Sequence, residues 1–294
     1  MAADAYYDKV VLLLPMNGAD GGTTFTDYSP SPKSVLAYEQ AHTEVDQSKF
    51  YGSSGYFDGN TDFLYVPTPA GVGNFGTGDF TVEMWVRSAS ATGGGANYDK
   101  LLFGGFATNP DMLFFLDNAS LAPALWDGSK SAYASSGVTA NQWCHVAYSR
   151  ASGVLKIFVD GQQKYSGNYD TNFSDNSANL YVGGDGYEGN RWFNGYLQDL
   201  RITKGVARYT DTFTPPGKLI GSISGTIYDA NGDAAQRTVI AVPRSYPNSR
   251  TFTTQSSAAN GTYSLSVPDV ECSRIVLADE TTLYNDILDR VLPG

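Results

Sequence analysis

Apolar residues along this chain recur with a period of two or in short unbroken runs, and almost never at helical spacing. In FTVEMWVRS (residues 80–88), Val82, Met84 and Val86 alternate with Thr81, Glu83, Trp85 and Arg87. QWCHVAYSR (142–150) sets Cys144, Val146 and Tyr148 against Trp143, His145 and Ala147. KLLFGGF, MLFFL, ANLYVGG and GYLQDLRI read as further strands. VLKIFVDGQQKYSG (154–167) is the clearest hairpin, because Asp160-Gly161 supplies the positive φ angles of a two-residue turn. Strand after strand with turn clusters between them predicts an all-β chain, an antiparallel sandwich or jelly roll.

The pattern breaks at DLRITKGVARYTDTFTPP (199–216). Leu200 and Ile202 face one way and Asp199, Arg201 and Thr203 the other, until Lys204-Gly205 reverses the chain. The expected course is a closing strand, then a short turn that lays Tyr209 and Phe213 over the sandwich end, with Arg208 bonded locally. Pro215-Pro216 ends the strand, since proline has no N–H for a ladder. The expected division is therefore a larger domain over residues 1–218 and a small β-sandwich over 219–294. In the latter, Asn231-Gly232 and Asn260-Gly261 read as turns between successive strands. Leu283, Ile287 and Val291 suit a helix face as well, and the strand reading is preferred.

Composition narrows the partners. Charged residues are only 17 %, net charge is −11, and no run of Lys or Arg occurs, which speaks against a nucleic-acid partner. The apolar run Val10–Leu14 is too short for a signal peptide or a membrane span. The expectation is a protein made in a cytoplasm, without membrane insertion. Cys144 and Cys272 are expected as two buried, unpaired thiols.

The segments VVLLLPMNGADGGTTFTDYSPSP, KFYGSSGYFDGNTDFLYVP, FGTGDFTVEMWVR, QWCHVAYSR, LKIFVDGQ and FNGYLQDLRITKGVARYTDTFTPP resemble, in order, the signatures of laminin-G-like, concanavalin A-like jelly rolls. The wording is nearest the version found in tailed-bacteriophage virions. GSISGTIYDANGDAAQRTVIAV and NGTYSLSVP resemble small immunoglobulin-like, carboxypeptidase-regulatory-like sandwiches. The resemblance implies a concanavalin A-like jelly roll followed by an Ig-like sandwich, in a structural protein of the virion. It implies a surface or tail appendage that adheres to host glycan, or alternatively a capsid decoration protein. Partners would be other virion proteins, further copies of itself and a host-surface glycan.

Candidate chemistry follows from residue types. Some relatives of this fold are glycosidases, which need two carboxylates across the scissile bond. Glu83 stands alone on its strand face, so no catalytic residue is assigned and no enzyme is expected. His42 and His145 have no nucleophile elbow or zinc spacing around them. Calcium is the one cofactor that the acidic, glycine-rich loops and the resemblance suggest, with Asp20 and Asp199 as the best ligands. Sugar binding wants aromatic rings flanked by polar groups on loops or on an open sheet face. GGDGYEGNRWFNG offers Tyr187, Arg191 and Trp192, and ALWDGSKSAY offers Trp126 with Tyr133. Trp85 and Trp143 are expected in the core.

Overall fold

The computed structural model describes residues 4–67, 71–89, 100–105, 112–173, 179–185, 191–229, 231–244, 250–270, 272–277, 286–291 and 293. The chain divides into two compact units. The larger holds residues 9–27 and 32–217; residues 28–31, 218–294 and the described residues up to Asp8 form the smaller. Among the described residues no helix is long and apolar enough to cross a membrane.

In the larger unit the strands are, in chain order, β1 (Val10–Leu14), β2 (Leu36–Tyr38), β3 (His42–Glu44), β4 (Ser54–Asp58) and β5 (Phe63–Pro67). Then come β6 (Phe80–Ser88), β7 (Lys100–Gly105), β8 (Met112–Leu116), β9 (Pro123–Trp126) and β10 (Ser131–Tyr133). β11 (Cys144–Ala151), β12 (Val154–Val159), β13 (Gln162–Asn168), β14 (Asn179–Val182) and β15 (Asn194–Lys204) complete it. They build two antiparallel sheets: one of eight strands in the order β13-β12-β11-β6-β15-β4-β3 with β1 also on β15, and one of seven in the order β10-β9-β8-β7-β14-β5-β2. Runs of sequence neighbours, β13-β12-β11 and β10-β9-β8-β7, are joined in each sheet to strands from distant parts of the chain, β6-β15-β4 and β14-β5, which is jelly-roll topology rather than a simple meander.

The inward faces make one core. Val82, Met84 and Val86 of β6, Cys144, Val146 and Tyr148 of β11, and Phe103, Phe114, Leu180 and Val182 of the seven-stranded sheet belong to it. The Asp160-Gly161 hairpin has the expected geometry: both residues have positive φ, 48° and 75°, and Val159 pairs with Gln162. β15 departs from strict alternation. Leu197, Leu200 and Ile202 all enter the core, because a bulge between Gln198 and Arg201, with Asp199 at φ 53°, adds a residue to the strand. Of the two tryptophans expected in the core, Trp85 is buried, though outside the inter-sheet cluster, and Trp143 is not fully buried. Trp85 lies on the outer face of the eight-stranded sheet, edge-on to Phe50 and beneath the Lys49 ammonium.

In the smaller unit, β16 (Ile220–Thr226) pairs with β19 (Thr262–Pro268). β17 (Thr238–Pro243), β18 (Phe252–Gln255), β20 (Cys272–Leu277) and β21 (Asp286–Val291) form a sheet in the order β18-β17-β20-β21. The segment read as helix or strand is thus a strand over Asp286–Val291. Asn260-Gly261 turns the chain from one sheet to the other and does not close a hairpin. Early residues belong to this unit: the Asp4 amide donates to the Asp269 carbonyl at 2.8 Å, and Tyr28 stacks on Phe252 at 6.0 Å. Cys144 and Cys272 are both buried free thiols.

Candidate functional site

The outward face of the seven-stranded sheet is where rings gather. Alternation puts Leu64, Val66, Leu180 and Val182 into the core, so Tyr65 and Tyr181 point outward. Register then aligns residues from five strands. Tyr65 lies opposite Tyr181, Tyr181 opposite Gly104, Gly104 opposite Leu113, and Leu113 opposite Trp126. Directly opposed residues share a face, so these form one row across β5, β14, β7, β8 and β9. Leu101, Leu113, Phe115 and Ala124 make a small buried apolar floor, and Trp126 and Tyr181 pack against it.

Two hollows lined by described residues open on this face. One, of about 160 Å³, is lined by Leu113, Phe115, Trp126, Tyr133 and Arg191. The other, of about 290 Å³, is lined by Tyr38, Phe63, Tyr65, Asn179 and Tyr181. Ring-to-ring contacts hold the linings in place. Tyr38 stacks on Phe63 at 4.4 Å, Phe63 meets Tyr181 edge-on at 5.5 Å, and Phe115 meets Tyr133 edge-on at 5.9 Å. Tyr38 and Tyr133 remain 45 % and 46 % exposed, so ring surface is presented to solvent. Arg191 Nη1 lies 3.1 Å from Oδ2 of the buried Asp185. The Leu101 amide donates to the Arg191 carbonyl at 3.1 Å, which anchors this arginine beside β7. Apolar rings with a few fixed amide, phenol and guanidinium groups have the makeup of a small-molecule site, and a polyol with apolar C–H faces is chemically suited to it.

Of the residues expected to contact sugar, Trp126 and Arg191 come together in one hollow. Trp192 does not line it: it is half-buried, with its Cδ1 3.1 Å from where a Cβ on Gly184 would sit. Tyr187 lies outside the described residues. The second hollow was not anticipated. Its signal was present in the alternation of FLYVP and NLYV, where Tyr65 and Tyr181 fall out of phase with the core positions.

The two candidate metal ligands have separate partners. Asp20 is exposed, and its Oδ1 accepts the Val45 amide at 3.3 Å. Asp199 is buried, and its Oδ1 accepts the Tyr51 hydroxyl at 2.8 Å. No group of three His, Cys, Asp or Glu side chains gathers among the described residues.

On the other sheet, Glu83 is buried at the centre of a polar cluster. Its Oε1 takes Arg201 Nε at 2.9 Å and Nη2 at 2.8 Å, while its Oε2 takes the Tyr209 hydroxyl at 2.7 Å and His145 Nε2 at 3.2 Å. Burial by itself would raise the pKa of this carboxyl, but the Arg201 charge, the His145 hydrogen bond and the Arg208 charge outweigh it and hold it well below the usual carboxylate range. Burial, then the Glu83 charge, pushes the Tyr209 phenol far above its usual value.

The segment after β15 seals this cluster. The Arg208 amide donates to Thr81 Oγ1 at 2.8 Å, and Thr81 Oγ1 donates to the Val206 carbonyl at 3.1 Å. The Phe213 amide donates to the Gly161 carbonyl at 3.1 Å, and Tyr209 and Phe213 stack at 3.6 Å. Arg208 Nε donates to Thr203 Oγ1 at 2.6 Å, the local bond expected of it. The strap therefore crosses the outer face of the eight-stranded sheet, over β6, β11 and β12, and not the sandwich end. A glycosidase carboxylate must reach solvent and substrate; Glu83 is 1 % exposed, with both oxygens taken.

A family profile described as the concanavalin A-like lectin/glucanases superfamily matches residues 58–208, just over half of the chain. No curated protein matches the chain. Among solved structures, the chain is similar to domain 4 of AbnA, an extracellular GH43 arabinanase from Geobacillus stearothermophilus, in complex with arabinotriose. That likeness has a TM-score of 0.51 and 17 % identity, over 68 % of this chain and 94 % of that one. It is also similar to the binding domain of Paraclostridial Mosquitocidal Protein 1, with a TM-score of 0.51 and 12 % identity over 97 % and 76 % of the two chains. A third likeness is to the receptor-binding domain of botulinum neurotoxin mosaic serotype C/D, with a TM-score of 0.52 and 13 % identity over 94 % and 72 %.

Proposed function

The chain belongs to the concanavalin A-like lectin/glucanases superfamily, and from that premise we propose that it is a non-catalytic glycan-binding protein that reads sugar on the outer face of its seven-stranded sheet. One observation carries this reading: the hollow in which Trp126, Tyr133 and Arg191 converge on an apolar floor. Domain 4 of the arabinanase, a fold of the same kind, is described with arabinotriose, which supports a sugar as ligand. The engagement of Glu83 with Arg201, His145 and Tyr209 supports binding without hydrolysis.

The biological setting in this proposal is the virion of a tailed bacteriophage, with the protein on its surface or tail as a host adhesin. The support is the order of signature segments from VVLLLPMNG to YTDTFTPP. A glycan array probed with the purified protein tests the binding function. Retention on at least one host-type polysaccharide, weakened by Trp126→Ala, is the expected outcome; an array blank for the folded wild type ends the proposal. Immunogold labelling of particles tests the location separately.

A further inference from the structure

The two hollows lie on one face of one sheet, on either side of β7, and the row Tyr65–Tyr181–Gly104–Leu113–Trp126 runs from one to the other. From β5 to β9 there are four interstrand steps of about 4.8 Å each, so Tyr65 and Trp126 stand roughly 19 Å apart. That span exceeds any single sugar ring. At its middle strand the row carries a glycine, and no side chain could replace the hydrogen there: a Cβ on Gly104 would lie 2.6 Å from the Met112 carbonyl oxygen. Arg191, which lines the Trp126 hollow, is anchored to this strand by its carbonyl on the Leu101 amide.

Charge narrows the ligand further. Among the described lining residues the one cation, Arg191, is held 3.1 Å from the Asp185 carboxylate, so the pair adds no net positive charge there. The whole chain carries −11. A polyanion would meet a repelling field and no uncompensated positive charge in that lining. Fixed donors and acceptors with no net charge suit hydroxyl groups.

We infer that the two hollows are subsites of one site, and that its ligand is an uncharged glycan chain of several sugars laid across the strands. Trp126 would stack a sugar at one end and Tyr181 and Tyr65 another, and Arg191, held by the buried Asp185, would bond hydroxyls beside Trp126. This rests on the glycan-binding reading and names the class of glycan.

The test is calorimetry on the full chain with neutral arabinan, xylan, β-glucan and mannan oligosaccharides graded from two to eight sugars, beside polygalacturonate oligosaccharides of the same lengths. The expected result is affinity that climbs at least tenfold with length on one neutral series, and weak or no binding of the anionic one. Tyr181→Ala should return the long oligosaccharide to about the affinity of the short one. Tyr181→Phe, which keeps the ring, should retain most of the length dependence. Binding that saturates at a disaccharide, a Tyr181→Ala protein that is folded and binds long chains normally, or preference for the anionic series overturns the inference while leaving glycan binding in place. Absence of binding to every series and to the array overturns both.

Discussion

The Tyr209 hydroxyl donates to Oε2 of Glu83 across 2.7 Å, so a residue of the strap closes the hydrogen bonding of a carboxylate on the sheet beneath it. The carboxylate also neutralises Arg201, which is buried with it. Glu83→Gln keeps the shape and deletes the charge, leaving a guanidinium in a dry site without its counter-ion. Loss of one partner of a buried pair costs about 3–5 kcal/mol. Chemical denaturation should report a loss of that order, with glycan affinity unchanged under conditions where the variant stays folded. A variant as stable as the wild type would remove the structural role assigned to Glu83.

Stability should fall on both sides of neutrality, for different groups. The folded Glu83 carboxyl titrates well below its unfolded value, near 4.3, so its contribution is full above that pH and drains away as pH falls towards the folded value. Burial pushes the phenols of Tyr148, Tyr169 and Tyr209 upward. For these the neutral form is the folded one, so stability is full below the unfolded value, near 10, and is lost as pH rises beyond it. Melting temperatures measured from pH 2 to 11 should show both flanks; a flat alkaline limb would contradict the burial of the three phenols.

Trp126→Ala removes a half-exposed ring from a hollow and little from the core. Aromatic anchors at binding sites are often worth 2 kcal/mol or more, roughly a thirtyfold change in affinity. Glycan affinity should drop by about that factor with the circular dichroism spectrum unchanged. Trp192→Ala, outside the hollow lining, should have a smaller effect on binding, and the reverse ranking would move the site to the loop.

Gly161 sits at φ 75°, and a Cβ there would lie 1.8 Å from the Phe213 carbonyl oxygen. Gly161→Ala must both strain the turn, at about 1–3 kcal/mol, and push the strap off the sheet. Urea unfolding should show the loss, and the Tyr209–Phe213 stack should loosen, read as increased solvent quenching of tyrosine emission. Wild-type stability in this variant would mean that the strap is not pressed on the turn.

Asp199 shares its carboxylate with the Tyr51 hydroxyl and Asp20 binds the Val45 amide, a donor set that supplies two carboxylates where calcium takes six to eight oxygens. Chelator should leave the melting temperature and glycan affinity unchanged. A drop restored by calcium would assign the loops a metal.

Strands were readable because alternation is a local signal: Val82, Met84 and Val86 mark the inward face of β6 without reference to any other segment. The Asp160-Gly161 hairpin was legible for the same reason, since turn chemistry is carried by two adjacent residues. Pairings across the chain were not. Glu83 meets Arg201 over a separation of 118 residues, and nothing near Glu83 announces it. The bulge before Arg201 hid behind an alternation that held on one side only. Trp126 and Arg191 could each be nominated from their loops, but only strand order places them in one hollow. Tyr65 and Tyr181 looked like ordinary strand-surface residues until register set them side by side.

The chain passes between its two compact units four times, after residues 8, 27, 31 and 217. A protease that cuts once at the Pro215–Lys218 segment would therefore nick the protein without releasing its C-terminal portion. The fragment from Lys218 would stay bound to the peptides around Asp4 and Tyr28, whose partners Asp269 and Phe252 it carries. Such interleaving would keep the C-terminal portion tethered to the rest of the chain after the linker is cut.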